Sequence, residues 1–152
     1  MRCLAVIALS SLFLLSSCRS ARMQKMLIYH SSQLEQLVNR DMAAPDKMDV
    51  LAALMVEALE ESLEFKKTKD SVKFLKAYTK DNKPALDALY REFSSWYLSL
   101  SPTQKLIETT RIATKPYVRQ VLNVVPKVET KIKRKLNTVF ALGRFVKLFR
   151  LI

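Results

Sequence analysis

Glycine is nearly absent: the 152 residues include one, Gly143. With so few positions free to take positive φ without steric cost, β-hairpin turns, phosphate-cradling loops and strained nucleophile elbows are disfavoured. Histidine is as scarce, His30 being the only one. The two cysteines, Cys3 and Cys18, both fall within the first eighteen residues, so the rest of the chain holds no disulfide and no thiol nucleophile. No HExxH, paired-cysteine or alternating acidic-loop pattern occurs, so neither a metal nor a cofactor is expected. A general base needs an oriented acid and a nearby nucleophile, and spacing places neither beside His30, which reads as an ordinary helix residue. No catalytic residue is assigned, and an enzyme is disfavoured.

Acidic residues are missing from one region in particular. Residues 23 to 100 carry eleven basic and twelve acidic groups, whereas residues 101 to 152 carry twelve basic groups against only Glu108 and Glu129. The net charge of +12 is thus mainly a property of the C-terminal third. Such a region is drawn to anionic lipid or an acidic partner through a screened, largely non-specific attraction.

The apolar periodicity is helical throughout. Met23, Met26, Leu27, Leu34, Leu37 and Val38 repeat mostly at three and four. After Pro45, Asp46 resembles an N-cap to a helix carrying Met48, Leu51, Leu54, Met55, Leu59 and Leu63, which either continues through Val72, Phe74, Leu75 and Tyr78 or breaks near Asp70. On that helix Glu57, Glu60, Glu61 and Glu64 read as a solvated face pairing with nearby lysines. Asn82 and Pro84 open a further helix bearing Leu86, Leu89, Phe93, Trp96 and Tyr97. Met42, Met48 and Met55 read as core fillers. Ser101-Pro102-Thr103-Gln104 combines an N-cap serine, proline at the first helical position and a glutamine placed to reach back, which predicts a helix start at Pro102. Pro116 and then Pro126 are expected to divide the helical stretch beyond that start. The expectation is an all-α chain, a small bundle of four to six helices, organised as a leader (1–17), a helical domain (18–126) and a basic amphipathic C-terminal helix (127–152).

The leader carries a resemblance. Leu4 to Leu15 is an uncharged run after Arg2, shorter than the ~20 residues a membrane span needs. Directly after it, Leu15-Ser16-Ser17-Cys18 resembles the bacterial lipobox. That resemblance implies cleavage before Cys18, its attachment to diacylglycerol, and anchoring in the cell envelope by acyl chains contributing about 0.8 kcal/mol per buried methylene. Arg19 rather than aspartate after the cysteine implies transfer to the outer membrane, facing the periplasm, in preference to the inner membrane. The opposite reading, an uncleaved inverted anchor, draws on Arg19, Arg22 and Lys25 following the apolar run.

At the other end, Val128, Ile132, Leu136, Val139 and Val146 share an arc on a helical projection, with basic residues away from it. Lys131, Lys133, Arg134, Lys135, Phe140, Arg144, Phe145, Lys147, Phe149 and Arg150 are therefore the candidate contacts with anionic membrane or an acidic envelope protein. The alternative is that the same helix packs on the bundle with its lysines solvated. Nucleic acid is disfavoured as a partner, because an exported, anchored protein seldom meets any. Leu100-Ser101-Pro102-Thr103-Gln104 resembles the LTxxQ motif of the Spy and CpxP type of periplasmic chaperone, with serine for threonine and one copy instead of two. That resemblance implies ATP-independent shielding of unfolded envelope proteins. The leading expectation is a lipid-anchored binding or scaffolding protein, with the chaperone as one alternative and a membrane-perturbing factor built on residues 139 to 152 as another.

Overall fold

A computed structural model describes residues 20–136 and 142–151. The lipobox with Cys18, and Phe140 near the other end, lie outside the described residues, and the side chain of Arg150 is likewise not described. The described residues form seven helices and no strand: α1 (Ala21–Asn39), α2 (Ala44–Glu64), α3 (Thr68–Asp81), α4 (Lys83–Ser99), α5 (Pro102–Ala113), α6 (Pro116–Ile132) and α7 (Leu142–Leu151). The all-α class is as expected, with more helices than the four to six the periodicity suggested.

Local chemistry explains most of the boundaries. The Ser20 side chain accepts from the Met23 amide at 3.2 Å and starts α1, whose buried Met23, Leu27, His30, Leu34 and Leu37 alternate steps of four and three. Ala43, not Asp46, occupies the cap of α2; Pro45 suits the first turn, having no amide to satisfy, and Asp46 falls inside that turn beside the positive helix end. Extended Phe65 ends α2, so α3 is a separate helix. The Ser71 hydroxyl donates to Ser62 O at 2.6 Å across that corner. Asn82 caps the C-terminus of α3 and the N-terminus of α4 at once, its buried side-chain amide donating to Tyr78 O at 2.8 Å. Ser101 and Gln104 form the reciprocal capping box, at 3.2 and 3.0 Å, that the sequence announces.

Pro126 departs from expectation. Pro116 does separate α5 from α6, but Pro126 lies inside α6, so the segment from 127 onward is not one helix. An interior proline removes one helical hydrogen bond and costs about 3 kcal/mol. Pro126 is exposed, while Val121, Val124, Val125, Val128 and Ile132 are buried on the opposite face. Burial of five branched side chains, each contributing about 1.5–3 kcal/mol, outweighs one lost bond.

At the centre lies α2, packed against α1, α3 and α4 and most extensively against α6. Its C-terminus meets that of α6, where the Lys131 ammonium donates to Leu63 O at 2.7 Å and to Phe65 O, supplying donors to carbonyls that the helix end leaves unpaired. Met48 and Met55 are core residues, and Met42 packs at its edge. Phe93 is buried, with Trp96 at 5.3 Å and Tyr97 stacked at 6.3 Å between ring centroids.

Candidate anion-binding surface

The end of α6 is built by Glu129. Its backbone carbonyl accepts from the Lys133 amide and from Arg134 N at 3.3 Å, and its buried carboxylate accepts from Leu136 N at 3.0 Å and Lys135 Nζ at 3.4 Å. One residue thereby ties down the turn after the helix from both its main chain and its side chain. Lys133 in that turn has φ 57° and ψ 34°, the only non-glycine positive φ among the described residues. Left-handed backbone costs an L-residue about 1–2 kcal/mol, and glycine is the usual solution at a helix end. A shallow groove of about 320 Å³ lies here, lined by Pro126, Glu129, Thr130, Lys133, Arg134 and Lys135. All three of its cations are exposed and its one acid is already bonded.

The ten residues put forward as contacts fall into distinct environments. Lys133, Arg134 and Lys135 share the groove, and Lys147 is exposed on α7. Lys131 is half-buried and holds the end of α2. The Arg144 guanidinium bonds Asp87 and lies 4.7 Å from the Tyr90 ring centroid, a cation–π contact that pins α7 to α4. Phe145 and Phe149 are buried, Phe145 edge-on to Tyr90 at 5.7 Å. The latter two correct the expectation: their rings belong to the core and are not presented to a membrane. The physical reason is amphipathicity itself, since the apolar face of a short helix is satisfied by the nearest apolar surface, here that of α4 and α6. Val146 is buried on the same side of the helix.

Of the glutamates of α2, Glu60 and Glu64 are exposed as expected, but the pairing differs, since it comes from α1: Glu64 pairs with Arg22 at 2.5 Å, Glu61 with His30 at 2.5 Å, and Glu57 lies close enough to Tyr29 that its charge raises the pKa of that phenol. Only long-range packing places α1 beside this face. His30 is buried among Tyr29, Phe74 and Tyr78, at centroid distances of 5.3, 6.2 and 5.4 Å. Among the described residues there is no cluster of three or more metal-ligating side chains, and no helix is long and apolar enough to cross a membrane.

Fold and surface together describe a small all-α protein with a basic groove at one helix end and a largely aliphatic core. No family model matches the chain, and neither a curated protein nor a solved structure matches it.

Proposed function

We propose that this is a lipid-anchored cell-envelope protein, held in the membrane through Cys18, that acts by binding or scaffolding and not by catalysis. The groove cations Lys133, Arg134 and Lys135, with Lys147 on α7, engage an anionic surface, either lipid headgroups or an acidic envelope protein. The observation that carries this reading is Lys133. A lysine occupies a left-handed position where glycine is more stable, and it stands beside two further exposed cations. A local loss of stability at a charged surface residue is the pattern expected where the charge is used. Contact is electrostatic, because the aromatic side of α7 is occupied by the core.

The test has two arms. Radiolabelled palmitate incorporation, abolished in Cys18→Ala, supports the anchor; absence of label in the wild type removes it. For the groove, residues 19 to 152 are sedimented with anionic and neutral vesicles across a salt series. A cation near an anionic surface contributes about 1 kcal/mol, so Lys133→Glu with Arg134→Glu should weaken salt-sensitive binding by roughly tenfold or more. Binding that is indifferent to both substitutions eliminates the groove as the contact.

A further inference from the structure

The side chains facing out from α5 are the wrong ones for a helix that only covers the bundle. Its inward residues are Lys105, Glu108, Thr109, Ile112 and Ala113, of which only Ile112 is fully buried. Leu106 and Ile107 instead point away from the bundle, 69% and 59% exposed, and Leu98 near the end of α4 is 74% exposed. The polar side of this helix is partly sheltered: Lys105 lies 5.4 Å from the Tyr97 ring centroid, and one Glu108 oxygen is buried, with Arg111 3.5 Å away as its ion-pair partner. Two adjacent large aliphatic side chains of this helix thus face outward while half-buried polar ones face the bundle.

We propose that the corner formed by the end of α4 and by α5 is the protein's apolar docking surface, and that its occupant is an anionic lipid bilayer. Surrounding charge identifies the occupant. From Leu98 to Arg119, beside the inward Lys105, the chain carries Arg111, Lys115 and Arg119 against the single acid Glu108, which is already paired with Arg111. Aliphatic side chains flanked by lysine and arginine match the headgroup boundary, where the apolar residues enter the acyl region and the cations meet phosphate. The inference rests on the envelope reading above for the presence of a membrane, but it uses different residues from the α6 groove. It assigns the insertion that Phe145 and Phe149, being buried, do not make.

Two single-tryptophan proteins separate the possibilities. In the full chain, Trp96→Phe removes the one native tryptophan, and a reporter is placed either at the corner by Ile107→Trp or on α7 by Lys147→Trp. Each is mixed with vesicles of brominated phosphatidylglycerol or brominated phosphatidylcholine. An interfacial helix buries its apolar face into the acyl boundary, so the 107 reporter should shift to the blue and lose roughly half its emission on anionic lipid, with far less change on neutral lipid. Adding Leu106→Ser should remove most of that quenching. Quenching of the 147 reporter alone overturns the corner proposal and leaves the C-terminal contact standing. If neither reporter responds, insertion at the corner is overturned. An unquenched 107 reporter in a protein whose self-association depends on Leu106 assigns the corner to a second copy of the chain and overturns the lipid assignment.

Discussion

His30 Nε2 lies 2.5 Å from Glu61 Oε2, and this contact ties the middle of α1 to the last turns of α2. The imidazole is enclosed by aromatic rings and the carboxylate is largely sheltered, so removing the acid strands a buried polar ring. Leaving a buried hydrogen-bonding group unpaired costs about 1–3 kcal/mol. Glu61→Ala should lower stability in urea by that amount. The same substitution in a His30→Phe background should cost much less, and equal losses in both backgrounds would show that the contact is energetically idle.

Tyr78 gives an alkaline signature. Its hydroxyl is buried with no hydrogen-bond partner among the described residues, and burial, reinforced by the charges of Glu57 and Glu61, pushes its pKa well above the ordinary phenol value. The folded protein therefore keeps its proton at a pH where the unfolded chain releases it. Stability is fully present below about pH 10 and falls as pH rises above it. Tyr78→Phe should flatten that alkaline decline in a melting-temperature series. At neutral pH it should be neutral or stabilising by about 1 kcal/mol, because an unpaired buried hydroxyl is removed.

Asp87 sets the acid limit of the α4–α7 contact. Hydrogen bonds first from Lys83, at 2.6 Å, and then from Arg144 hold its carboxyl below the usual aspartate range. The folded state thus favours the ionised form, so this contribution is present above about pH 4 and is lost as pH falls below it. Asp87→Asn should lower the melting temperature at neutral pH, and the gap from wild type should close towards about pH 2–3. A gap that stays constant across that range would assign the effect to packing.

Lys133→Gly tests the trade between stability and charge. Glycine relieves the left-handed backbone, so the variant should gain about 0.5–1 kcal/mol in thermal or urea unfolding. Vesicle binding should weaken at the same time. A variant both more stable and equally adhesive would show that the lysine is not used for contact.

Much of the architecture is determined by short stretches of sequence. The scarcity of glycine, the steps of three and four along α1 to α4, and the Ser101–Gln104 box act within one or two helical turns, where side-chain spacing and backbone hydrogen bonding decide the outcome. The basic character of the last third is likewise a matter of composition, and it places Lys133, Arg134 and Lys135 in one turn whatever the fold.

Tertiary structure alone decided which of those cations face outward and which hold the molecule together. Lys131 and Arg144 have partners 57 or more residues away, at Leu63 and Asp87, and no local pattern contains those distances. Packing against α2 carried α6 through Pro126, because burial on one face outweighed a hydrogen bond lost on the other. Packing also took Phe145 and Phe149 into the core and left Leu106 and Ile107 outside it. A helical projection states that a helix has an apolar face; only the position of its neighbours states whether that face is covered.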